Sequence, residues 1–331
     1  MDVDAFASAH EAEWARLQWL VRRRRHLSGD EADELVAGYQ AAATHLSVLR
    51  SHGYDPALAA RLSSLLGRAR AAVTGARTPA WRQVAVFFAV SFPGTAFRLR
   101  WWWAGTAAGS LLLALIVGRW IAGSGSVQAS LLTHSQVAGL VNHQFRSYYS
   151  QDTAASFGLK VWTNNALVAA EALIGGVFLG VGTILALLDN SLNLGVDGGL
   201  MIGYGKTGEF FTLILPHGML ELSAVFLAAA AGLQLGWVII DPGPRRRGQA
   251  LAEEGRRAMT IALGLVAVLA VSGFIEAFVT PSALPAWMRI GIGALAGAAF
   301  LAYVLLAGRR ASRLGLSADI REAPDQAPVQ G

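Results

Sequence analysis

Apolar residues follow two different rhythms along the chain. Up to about residue 95 they recur at helical spacing among polar neighbours: Phe6, Trp14, Leu17 and Leu20, then Leu35, Tyr39, Leu46 and Leu49, then Leu58, Leu62, Leu65, Leu66 and Ala69. Beyond that point they run almost unbroken, in blocks of roughly 18 to 25 residues, the length of a bilayer-crossing helix. The first region predicts a small helical domain in water, the second a bundle of membrane-spanning helices.

Local signals sharpen the first region. Ser28 with Glu31 three positions on has the form of a capping box. Asp55-Pro56 has the form of a cap followed by proline in the first helical turn. Arg22 to Arg25 read as an exposed basic face, with anionic headgroups as a second reading. No basic-plus-aromatic groove pattern accompanies them, so nucleic acid is not an expected partner.

In the second region Arg98 and Arg100, then Trp101 to Trp103, mark where the chain meets the membrane. Spans are expected at about 103–122, 165–188, 258–279 and 287–307, with another apolar block over 199–240. "LLTHSQVAGLVNHQF" at 131–145 reads as an amphipathic surface helix, "DNSLNLGVDGG" at 189–199 as a turn, and residues 245–257 as a basic loop. Keeping Arg98/Arg100, that loop and the 309–313 cluster on one side requires an odd number of crossings between 123 and 241. Splitting the 199–240 block at Pro216–Gly218 into a short and a full crossing satisfies this and gives six spans. A re-entrant 199–216 segment would give five. The fold expectation is therefore an all-α multi-span transmembrane bundle, one helix broken by Pro-His-Gly. It divides into a cytosolic helical domain (1–95), a transmembrane domain (96–310) and a disordered polar tail (311–331).

Composition excludes several chemistries. Of 331 residues 54% are hydrophobic and 15% charged, with a formal net charge of +5, as in membrane proteins. There is no cysteine, which removes disulfides, thiolate metal sites and cysteine nucleophiles. The acidic, polar start "MDVDAFASAHEAEW" is unlike a signal peptide. Glycines four apart mark four spans: Gly105/Gly109, Gly176/Gly180, Gly232/Gly236 and Gly293/Gly297. Such stripes let helix backbones approach closely in lipid, within one chain or between copies in a homo-oligomer.

Polar groups inside apolar spans are costly and point to function. Glu171, Glu209, His217, Glu221 and Glu276 are the candidates, with Asn164 and Asn165 just before the second span. His217 and Glu221 share a helix face, and Gly218 is suited to a close backbone approach. Three readings stand: a buried His–Glu lock, an ion or proton site in a conduit, and a catalytic metal site. The third lacks a third ligand, since no HExxH or second His-rich helix completes a set. No cofactor motif is present: "GYGKTGE" at 203–209 does not meet the phosphate-loop pattern.

"FGLKVWTNNALVAAEALIGGVFLG" (157–180) and "ILPHGMLELSAVFLAAAAGLQLG" (214–236) together resemble the stage II sporulation protein M family of bacterial integral membrane proteins. The family's His-Gly with a Glu three residues beyond falls on His217, Gly218 and Glu221, and its asparagine on Asn164 or Asn165. The resemblance covers about 95–310. It implies a multi-span plasma-membrane protein, N-terminus in the cytoplasm, without enzymatic activity. In endospore formers such proteins anchor a cell-wall-degrading machine; many relatives come from bacteria that do not sporulate. The expectation is a non-enzymatic membrane scaffold for a cell-envelope complex, its partners the lipid bilayer and other membrane or cell-wall proteins. A transporter or channel component using the His–Glu pair is the alternative.

Overall fold

The computed structural model describes residues 3–24, 27–52, 55–73, 80–131 and 153–314. Arg25, the 131–145 segment beyond Leu131 with His134 and His143, and the tail beyond Leu314 lie outside the described residues. The chain divides into two compact units, residues 1–83 and 84–331.

The first unit holds three helices, α1 (Val3–Arg23), α2 (Gly29–His52) and α3 (Pro56–Val73). Trp14, Leu17, Leu20, Leu35, Leu49 and Leu62 form its core. The Ser28 hydroxyl accepts from Glu31 N at 3.2 Å while Ser28 N donates to the Glu31 carboxylate at 2.9 Å, a reciprocal capping box. Asp55 Oδ1 accepts from Ala57 N and Leu58 N and starts α3. Arg16 grips Glu34 through two bonds of 2.8 and 2.7 Å, tying α1 to α2.

The second unit begins within α4 (Ala80–Val86), which is followed by a π-helical turn (Phe87–Ser91) and α5 (Phe92–Arg98). Phe92 is fully buried, and a Cβ on Gly264 would collide with its ring. Then follow α6 (Arg100–Ala122), α7 (Gly125–Leu131), α8 (Ala154–Ile174), α9 (Val181–Gly203), α10 (Thr207–Ile240), α11 (Arg247–Phe274) with a π turn (Ile275–Val279), and α12 (Ala286–Arg313). Among the described residues four helices are long and apolar enough to cross a membrane: α6, α10, α11 with its π turn, and α12. Their outward faces carry Leu112, Leu115, Trp120, Leu295 and Leu306, each more than half exposed, as lipid-facing side chains are.

Helices α8 and α9 form a hairpin that packs along the same bundle. Its tip, 175–180, closes on Gly180 in the left-handed conformation (φ 82°). α9 runs parallel to α6: Ile184 and Leu188 lie level with Gly105 and Gly109, Gly195 and Gly199 against Gly118, Gly203 near Ala122. α8 runs parallel to α10, with Asn165 at Glu221 and Gly176 against Gly232. Short turns at 204–206, 241–246 and 280–285 join the rest antiparallel. Among the described residues six helices therefore run along the bundle. Arg98, Arg100, Arg245 to Arg247 and Arg309 to Arg313 gather at one end.

Four sequence expectations are corrected here. The helix does not break at Pro216: α10 is continuous from Thr207 to Ile240 with Pro216 inside it. The 189–199 stretch is helix: Gly195 and Gly199 meet α6 backbone, and within a membrane no water competes for the helical hydrogen bonds. In place of a short segment over 199–216, residues 181–203 form α9, and the break in the expected 165–188 span falls at 175–180. The basic loop is also shorter than expected, since α11 is helical from Arg247.

Candidate functional site

α10 carries His217 and Glu221 one turn apart into the bundle interior, where α8 and the end of α11 meet them. His217 Nδ1 lies 3.2 Å from Thr280 Oγ1, and the Thr280 hydroxyl donates to Ile275 O at 3.4 Å. In the tautomer that carries its proton on Nδ1, the imidazole donates to Thr280 and leaves a lone pair on Nε2. That lone pair faces Glu276 Oε2 at 3.9 Å. Ser272 Oγ donates to the His217 carbonyl at 3.2 Å, pinning α11 to α10 at the same level. The side chain of Asn165 lies beside the Glu221 carboxyl, and Asn164 donates to Asn165 Oδ1 at 3.4 Å. One ligand-type atom from each of His217, Glu221 and Glu276 lies within 4.8 Å of the others.

The π turn at Ile275–Val279 is what brings Glu276 inward. Thr280 N bonds to Ile275 O at 3.0 Å, an i to i+5 step that rotates the face presented by the last turn. The Glu276 and His217 side chains are only 7% and 8% exposed, so water does not compensate them. Groups so placed cost several kcal/mol unless something neutralises them.

The remaining expected site residues scatter. Glu171 is exposed on α8, away from the cluster. Glu209 pairs with Lys206 at 3.6 Å near the start of α10. Asn164 is exposed while Asn165 is buried. Gly218 meets no neighbouring backbone: a Cβ there would lie 3.1 Å from Ile214 of its own helix. The close approach expected of it is made by Gly293 of α12, which rests on the carbonyls of Leu215 and Pro216. Gly176, Gly232 and Gly236 interlock the α8–α9 hairpin with α10, and a Cβ on Gly297 would lie 3.6 Å from Met219. Gly105 and Gly109 face open space and line a cavity of about 510 Å³ between α6 and α9.

Two groupings escaped the sequence reading. Thr280 and Ser272 are ordinary residues in a span, and only the π turn makes them partners of His217. In the first unit His10, Glu13 and His45 also converge: the histidine rings lie 3.8 Å apart and Trp14 Nε1 donates to His45 Nδ1 at 3.2 Å. The i, i+3 spacing of His10 and Glu13 was the available signal; His45 arrives from another helix.

A family model described as Stage II sporulation protein M matches residues 107–281, more than half of the 331-residue chain. The chain belongs to the stage II sporulation protein M family. That stretch runs from α6 to just past Thr280 and so contains every member of the buried cluster. A second model, described only as a domain of unknown function, matches residues 4–75, the three-helix unit. An uncharacterized protein of Methanocaldococcus jannaschii is 29% identical over 123 residues, covering 37% of this chain and 69% of that protein. No solved structure matches.

Proposed function

We propose that the protein is a non-enzymatic membrane scaffold that assembles or positions a cell-envelope complex of the kind the family name implies. In this reading the arginine-rich end faces the cytoplasm of a bacterial plasma membrane, by the positive-inside rule, and the three-helix unit is the cytoplasmic docking module.

One observation carries the preference for a scaffold over a conduit. The buried ionisable groups of the bundle core do not form a path. Between the His217 level and the arginine-rich end, α10 presents Ala224, Leu227, Ala228 and Ala231, α11 presents Leu269, Leu265 and Ile261, and α12 presents Phe300 and Val304, all buried. The next buried acid, Glu254, is already held by Arg257 at that end. An ion leaving the cluster would meet a closed apolar slab. Glu171 and Glu209, which a conduit would enlist, lie elsewhere on the bundle. The cluster instead joins α8, α10 and α11 at one level, as a lock does.

Affinity capture from native membranes in mild detergent tests this reading. Wild type is expected to recover cell-envelope enzymes or their regulators, and a His217→Ala/Glu221→Ala variant that still inserts to lose them. A clean homo-oligomer without partners would overturn the scaffold.

A further inference from the structure

The cluster at His217 has an unusual hydrogen-bond balance. Thr280 Oγ1 is the partner of His217 Nδ1, which leaves Nε2 turned toward Glu276. Asn165 Oδ1 accepts from Asn164, and the Asn165 side chain lies beside Glu221. Glu276 makes no hydrogen bond among the described residues, and its nearest polar partner is the lone pair of Nε2 at 3.9 Å. One imidazole nitrogen and two carboxyl groups thus converge within 4.8 Å of one another in the bundle interior. A cation at their centre takes the place of the protons that otherwise neutralise buried acids.

We propose that His217, Glu221 and Glu276 hold a divalent transition-metal cation. One imidazole nitrogen with two carboxylates is a ligand set for Zn²⁺ or Mn²⁺, and the absence of cysteine leaves only these harder donors. Ligand distances of about 2.0–2.2 Å place donor atoms roughly 3–3.5 Å apart around a tetrahedral ion. The three atoms, within 4.8 Å of one another, reach this by small side-chain rotations. The surrounding bonds match what a metal site needs. Nδ1–H donated to Thr280 orients the imidazole and leaves Nε2 to coordinate, and Asn165 orients Glu221. The ion bridges α10 to the π turn after α11, with α8 bracing the site. The inference does not depend on the scaffold reading: a metal clamp fits any activity of the bundle.

The test is zinc retention by the full chain. Protein purified in detergent is stripped with a chelator, loaded with Zn²⁺, desalted and analysed for metal and thermal stability. Wild type is expected to keep one Zn²⁺ per chain and to unfold at higher temperature when loaded. Glu276→Gln, which preserves shape, is expected to lose retention while remaining monodisperse. Thr280→Val, which removes the orienting bond together with the hydroxyl's bond to Ile275 O, is expected to weaken binding roughly 10- to 100-fold. His45→Ala, in the other histidine grouping, is expected to retain zinc as wild type does. A monodisperse wild type that keeps no Zn²⁺, equal retention in Glu276→Gln, or loss confined to His45→Ala would each overturn the proposal.

Discussion

His217 Nε2 and Glu276 Oε2 face each other at 3.9 Å across the interface between α10 and the π turn that ends α11. Replacing one partner alone leaves the other buried without compensation. Glu276→Leu is expected to destabilise the protein by about 3–5 kcal/mol. A joint apolar repacking of His217, Glu221 and Glu276 is expected to recover much of that loss, because no orphaned polar group remains. Thermal unfolding in detergent, read by loss of the monodisperse peak, checks both.

The glycines separate into two classes. A Cβ at Gly232 or Gly293 would fall on backbone carbonyls of the neighbouring helix, whereas one at Gly105 or Gly109 meets open space. Gly232→Ala and Gly293→Ala are expected to cost about 1–3 kcal/mol or to prevent assembly of the bundle. Gly105→Ala and Gly109→Ala are expected to stay within about 0.5 kcal/mol of wild type. The same unfolding assay ranks the four.

Six traversing helices fix which turns share a side. The chain is free of cysteine, so single cysteines can be placed without a background variant. Ser124→Cys and Gly205→Cys are expected to react with an impermeant maleimide from one side, and Phe178→Cys and Gly243→Cys from the other. Labelling of Phe178→Cys from the Ser124 side would mean that the α8–α9 hairpin does not cross.

Much of this architecture is legible in the sequence because the relevant signals are local. Ser28/Glu31 and Asp55-Pro56 announce helix starts through bonds spanning two or three residues. The arginine asymmetry asks for one more crossing than the apolar blocks supply. What it could not supply was its location. Pro216 and the glycines at 195, 198 and 199 look like breakers on water-based propensities, yet a helix in lipid has nowhere else to satisfy its backbone. His217 and Glu221 were visible as a pair, but their grouping with Glu276 depends on a π turn. A single extra residue in a helical turn leaves no mark in hydrophobic periodicity.

In the first unit, burial and the adjacent His10 hold the His45 imidazole below the usual histidine value of 6.5. The folded unit therefore binds a proton there less readily than the unfolded chain. Its stabilising contribution is full above 6.5 and is lost as pH falls from 6.5 through the lowered folded value. Hydrogen exchange of α1–α3 peptides, corrected for intrinsic rates, is expected to show weaker protection at about pH 5.5 than at about pH 7.5. His45→Gln is expected to flatten that difference.

The central claim is that the buried cluster locks a sealed scaffold and does not serve a conduit. Reconstitution of the purified chain into vesicles, with internal reporters for protons and divalent cations, tests it most directly. The account predicts flux no greater than that of empty vesicles at any pH, in wild type and His217→Ala alike. Flux in wild type that His217→Ala or Glu276→Gln abolishes, in variants that still insert and stay monodisperse, would contradict it.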